Sequence, residues 1–256
     1  MNPMLAKLNE MREFDGAVRT TGLPAAAIER FLERDPALVE AIDEAYAAHL
    51  ALRSCMPDFL HLDEAEQIAK AQGDFVNFYP EDGVNPYIAL AAHGSWLVTL
   101  KGAVVYDAGG YGMLGFGHAP KAILSVMARP QVMANVMTPN LSQLKFGNAL
   151  KKEIGQTRGG CPFAKFMCLN SGSESVSLAA RIVDVNAKLA TDPGARHAGR
   201  TIKRLAVKGA FHGRTERPAL YSDSSRKVYE QNLASFRNER SVLTVEPYSV
   251  EQLRAA

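Results

Sequence analysis

The chain has 256 residues, 47% of them hydrophobic and 22% charged, a globular balance that excludes disordered, collagen-like and coiled-coil proteins. With 29 basic and 27 acidic residues the net charge is +2, which gives no electrostatic reason for nucleic acid or an anionic membrane as the partner. Three cysteines exclude a full disulfide framework and make a reducing cytoplasm the simplest setting, and no apolar run approaches the roughly 18 residues of a membrane span.

In chain order, residues 1 to about 73 read as helical and carry no chemical motif. Asp35-Pro36 is a helix start, with Asp as N-cap and Pro at the first position, where its missing N–H costs nothing. Leu38, Ile42, Ala45 and His49 then recur at helical spacing, and Gly73 stops a further helix ending near Gln72. Residues 75–93 read as loop, with Pro80, Gly83 and Pro86 among interleaved aromatics, a composition shift that marks a boundary. Residues 96–100 and 103–106 are β-rich runs around Lys101-Gly102, so a hairpin is expected. Pro120 opens a helix that stops before Pro130, and Thr138-Pro139 begins another running to about Ile154. Beyond Gly159-Gly160 the pattern is strand (165–169), helix (173 to about 190), strand (201–207) and strand (241–245), a βαβ order that predicts a mainly parallel sheet. The division expected is a helical segment at 1–75, a hairpin and glycine-rich segment at 76–135, and an α/β portion at 136–256.

Gly110, Gly112 and Gly115 satisfy G-x-G-x-x-G after a predicted strand, which raises a dinucleotide-binding reading. Two facts oppose it. The helix start is Pro120 rather than a turn inside the motif, and the ribose-binding acid expected about 20 residues on is missing, since no Asp or Glu lies between Asp107 and Glu153. A glycine loop that lets the backbone turn accounts for the stretch.

The strand at 165–169 runs into Asn170-Ser171-Gly172-Ser173-Glu174 and then a helix. The first turn of that helix carries unpaired N–H groups and the positive end of the macrodipole, about +0.5 charge. Gly172 permits close backbone approach, and the hydroxyls of Ser171 and Ser173 can donate, so the turn can seat a phosphate. Ser171-x-x-Glu174 is equally a capping box that needs no ligand. The strand at 201–207 leads into Phe211-His212-Gly213-Arg214-Thr215. Ligands of open α/β sheets bind at the carboxyl ends of strands, and an aromatic there can stack on a flat ring; the alternative is a core Phe beside a loop His.

Taken together, the two loops resemble the class III aminotransferases of the ornithine and 4-aminobutyrate type. Asn170 to Glu174 is similar to that family's N-S-G-[TS]-E phosphate loop, and Phe211 to Thr215 matches F-H-G-R-T in full. Gly94 to Asp107 looks like the family hairpin, and Gly117-His118-Ala119-Pro120 like its G-H-x-x-P turn with one residue fewer. The resemblance implies the fold of type I pyridoxal 5′-phosphate enzymes: an incomplete large domain with a mainly parallel sheet, preceded by the helical segment. It implies that Ser171, Gly172 and Ser173 hold the cofactor phosphate, and that Phe211 covers the pyridine ring with His212 beside it. Tyr111 and Tyr87 would shape the substrate site, where a structural role is an equal alternative; His118 reads as a turn residue.

The implied reaction moves an amino group from a small-molecule donor to a 2-oxo acid acceptor, in a homodimer with no metal. Such chemistry needs a Schiff-base lysine and an Asp beside the pyridine nitrogen, which the family carries later than any residue here. None of the twelve lysines stands in the right context, and Lys208 reads as a solvated strand-end residue. The expectation is therefore an N-terminal portion, inactive alone. A non-catalytic subunit binding a phosphate-bearing ligand or a partner, or a type I aminomutase, decarboxylase or epimerase, are the alternatives.

Overall fold

The structure is a computed structural model that describes residues 2–76, 83, 85–109, 115–135, 137–239 and 241–256. The chain divides into two compact units, Met1–Asn135 and Val136–Ala256.

In the first unit, local capping starts the helices and an apolar stripe buries them. Asn2 caps α1 (Pro3–Arg12), accepting the Met4 N–H at 2.9 Å, and Leu5, Leu8 and Met11 line its buried face. After α2 (Ala25–Leu32), Asp35 caps α3 (Pro36–Cys55), accepting the Ala37 N–H at 3.0 Å with Pro36 in the first turn. Leu38, Ala41, Ile42, Ala45 and His49 form its buried face, as the helical spacing predicts. Two further helices follow, α4 (Pro57–Leu60) and α5 (Glu64–Gln72).

The apolar stripes pack on an antiparallel meander, β1 (Ala89–His93), β2 (Trp96–Thr99) and β3 (Val104–Tyr106), in the order β1-β2-β3. Leu8, Met11, Ile28, Leu38, Ile42, Trp96, Val98 and Val104 belong to one core; full burial stabilises a large apolar side chain by roughly 1.5–3 kcal/mol. The second carboxylate oxygen of Asp35 accepts the Trp96 indole N–H at 2.7 Å, so one side chain both caps a helix and fixes the sheet's central aromatic.

One reading in this unit needs correction. Part of the stretch read as loop, Ala89–His93, is strand β1, paired as Ala91↔Val98 and His93↔Trp96. Its Ala-rich composition has low β propensity, and the ladder to β2 supplies what propensity does not. Lys101, in the turn of the expected hairpin, is 3% exposed. Its ammonium donates to the carbonyls of Asp15 (2.5 Å) and Leu60 (2.9 Å), and burial pushes its pKa down against the raising effect of Glu64. Pro120 precedes α6 (Lys121–Met127), so the helix begins after the glycine-rich stretch, which disfavours the dinucleotide reading. Gly110 and Gly112 lie outside the described residues.

In the second unit, α7 (Leu141–Gly155) opens on a capping box of Asn140 and Gln143, and α8 (Gly172–Thr191) on Ser171. The strands β4 (Arg204–Val207) and β5 (Val242–Val245) pair in parallel, Arg204↔Val242 through Val207↔Val245. Between them lie α9 (Glu216–Tyr221) and α10 (Arg226–Asn232), and α11 (Val250–Ala255) follows β5. The predicted strand at 165–169 is not part of either sheet: Met167 and Leu169 are exposed. The parallel pairing among the described residues joins β4 and β5, and the expected first strand of the βαβ order takes no part in it.

Candidate functional site

The site is built at the carboxyl end of β4 and the amino end of α8, both within the second unit. Ser171 sits in extended backbone (φ −145°, ψ 158°) and its hydroxyl oxygen accepts the Glu174 N–H at 3.2 Å. The same hydroxyl lies 3.3 Å from the Glu174 carboxylate, to which it donates. The cap is one-sided, Ser171 to the Glu174 N–H, in contrast to the reciprocal box of Asn140 and Gln143 on α7. The N–H groups of Gly172 and Ser173 have no acceptor within the helix, as at any helix start. A Cβ added at Gly172 would meet no atom within 4 Å, so the backbone there faces open space.

The second loop leaves β4 at Val207 and reaches α9 at Thr215. It runs against the helix start. Gly213 is buried with φ +122°, and a Cβ there would lie 2.3 Å from the Ser173 hydroxyl oxygen and 3.0 Å from the Pro218 Cβ. Only glycine lets the two loops approach so closely. The Arg214 N–H donates to the Ser173 hydroxyl oxygen at 3.4 Å, which joins residues 41 positions apart.

Ser171, Gly172, Ser173, Phe211 and His212, with Val176 and Gly213, line one cavity of about 370 Å³, within the roughly 300–1,000 Å³ of small-molecule sites. The five residues expected to contact the cofactor therefore share one concave surface. Phe211 is not a core residue: it is 55% exposed, and the Arg214 guanidinium lies 5.9 Å from its ring centroid. His212 is also exposed, with Tyr221 edge-on at 6.4 Å. Tyr87 lies in the first unit, half-buried, its phenol pKa raised by burial and then by Asp107. Tyr111 lies outside the described residues. His118 is a turn residue held from both sides: its backbone exchanges hydrogen bonds with Gly94, and its Nε2 is 2.9 Å from the Asp107 carboxylate.

Lys208 follows β4 directly and forms an ion pair with Glu246. Hydrogen bonding to that carboxylate raises its pKa, which keeps the side chain an ammonium and a poor nucleophile. A second groove of about 350 Å³ lies between α8 and β4, with Val176, Ala180 and Val183 facing Ile202 and Leu205. Sequence reading missed Ser222 and Asp223, which bond to the backbone of the aromatic loop. Ser-Asp-Ser in a connection carries no signal of such a role. Among the described residues no cluster of His, Cys, Asp or Glu is arranged to hold a metal, and no helix is long and apolar enough to cross a membrane. Comparison with protein-family models and with curated proteins finds no match to this chain.

Proposed function

We propose that this chain forms the phosphate seat and ring-stacking loop of a pyridoxal 5′-phosphate aminotransferase of class III type, with the type I fold. The reaction would move an amino group between an amino acid or amine and a 2-oxo acid, in the cytoplasm. The observation that carries the reading is the meeting of N-S-G-S-E and F-H-G-R-T at one cavity, through the close approach of Gly213 to Ser173.

The residues fit the group. Gly172 offers backbone facing open space, and the start of a 20-residue helix favours a dianion. The Ser173 hydroxyl accepts from the Arg214 N–H, which leaves its own hydrogen to donate to a phosphate oxygen. The Ser171 hydroxyl hydrogen points to Glu174 and turns to a phosphate oxygen at the cost of that bond. Phe211, half exposed beside this seat, offers one ring face for offset stacking, worth about 0.5–1.5 kcal/mol beyond burial.

When bound, the cofactor supplies an electron sink for charge at the substrate's α-carbon. The chain's own residues bind and orient it. The covalent anchor and the acid beside the ring nitrogen are assigned to no residue here, and Lys208, held as an ammonium by Glu246, is not a candidate.

The test is a titration of the chain with pyridoxal 5′-phosphate, followed by the cofactor's induced circular dichroism. Binding that the double variant Ser173→Ala, Phe211→Ala weakens at least tenfold supports the assignment; equal binding by that variant overturns it. Borohydride trapping of the complex, mapped by peptide mass, should label no single lysine stoichiometrically. One fully labelled lysine would show that the anchor lies in this chain.

A further inference from the structure

We propose that Ser222-Asp223-Ser224 is the template that holds the aromatic loop in its stacking shape, making Ser222 and Asp223 positioning residues for the cofactor ring. This rests on the reading of the cavity as a pyridoxal 5′-phosphate site. The Ser222 side chain is at the centre of three close contacts and is 1% exposed. Its hydroxyl oxygen accepts the His212 N–H at 2.9 Å and lies 2.8 Å from the Gly213 carbonyl and 3.0 Å from the Pro218 carbonyl. Its single hydrogen is shared between those two oxygens. Asp223 accepts the Gly209 N–H at 2.8 Å on one carboxylate oxygen and faces the Thr244 hydroxyl at 3.4 Å on the other. The Ser224 N–H donates to the Ala210 carbonyl at 3.1 Å.

These bonds fall on Gly209, Ala210, His212 and Gly213, the residues on either side of Phe211. The ring itself is 55% exposed, so core packing does not set its direction. The backbone on both sides does, and Ser222–Ser224 holds that backbone. Asp223 also reaches β5 through Thr244, so the loop is referred to both strands of the parallel pair. Ser171 and Gly172, in α8 and its cap, bond to none of these residues; the seat meets the loop only through Ser173, which accepts the Arg214 N–H and packs against Gly213.

The two halves of the site therefore separate experimentally. Ser222→Ala and Asp223→Ala should weaken pyridoxal 5′-phosphate binding roughly two- to tenfold, the value of lost ring stacking, and weaken inorganic phosphate binding by less. Asp223→Asn, which keeps an oxygen for the Gly209 N–H, should bind the cofactor like the wild type. Amide exchange at Gly209 should rise in Asp223→Ala and at His212 in Ser222→Ala. Wild-type-like cofactor binding by Ser222→Ala and Asp223→Ala overturns this inference alone. Parallel loss of both ligands also overturns it, since it marks a general structural role. A wild-type chain that binds neither ligand overturns the cofactor reading and this inference with it.

Discussion

Two glycine substitutions in the lining of one cavity should have opposite consequences. At Gly172 a methyl group meets no protein atom within 4 Å, and the residue is the first of α8. Gly172→Ala should leave folding intact or stabilise it by about 0.4–1 kcal/mol, through lower entropy of the unfolded chain. On the proposed reading, it fills the space through which a phosphate would reach the backbone. Losing one hydrogen bond to a charged ligand costs about 1.5–3 kcal/mol, roughly ten- to hundredfold in affinity. At Gly213 a Cβ meets the Ser173 hydroxyl at 2.3 Å with φ at +122°. A side chain in that region costs about 1–3 kcal/mol, and displacing Ser173 gives up the Arg214 bond, about 0.5–1.5 kcal/mol more. Gly213→Ala should therefore destabilise the second unit by about 2–4 kcal/mol. Urea unfolding followed by circular dichroism, with a pyridoxal 5′-phosphate titration of each variant, separates the cases. Gly172→Ala binding like the wild type, or Gly213→Ala as stable as the wild type, would refute the reasoning.

Other expectations concern the first unit. Burial, with the Arg53 charge second, pushes the His49 pKa down from 6.5 to about 4. The unfolded chain therefore takes the proton first as pH falls, and stability drops between pH 6.5 and about 4, by on the order of 3 kcal/mol. His49→Gln should flatten that limb of a stability-against-pH curve, and an unchanged slope would show that another group carries it. Lys101→Met leaves the carbonyls of Asp15 and Leu60 without their ammonium donor. It should lower the unit's stability by about 1–3 kcal/mol in thermal or urea unfolding.

What could be read in advance depended on how local the cause was. Asp35-Pro36 marks a helix start in any context, and α3 begins there. The strands at 204–207 and 242–245 announced themselves as short apolar runs, within 201–207 and 241–245. Ser171, Gly172, Ser173, Phe211 and His212, which line one cavity, were singled out by the Ser/Gly helix start, by the aromatic loop after a strand, and by the family resemblance that joins the two. Strand β1 was hidden in A-L-A-A-H, whose pairing comes from Trp96–Thr99 rather than from its own residues. The run at 165–169 misled because it is apolar, yet it pairs with neither sheet and leaves Met167 and Leu169 exposed. The roles of Lys101 and Ser222 are tertiary: each bonds carbonyls far along the chain or across a turn, and no spacing rule encodes that.

The most direct test is a nuclear magnetic resonance titration of the isotope-labelled chain with pyridoxal 5′-phosphate and, separately, with inorganic phosphate. The account predicts that the Gly172 and Ser173 amides shift with both ligands, and that the Phe211 ring protons shift with pyridoxal 5′-phosphate alone. Shifts confined to residues away from this cavity, or none at millimolar ligand, would contradict it.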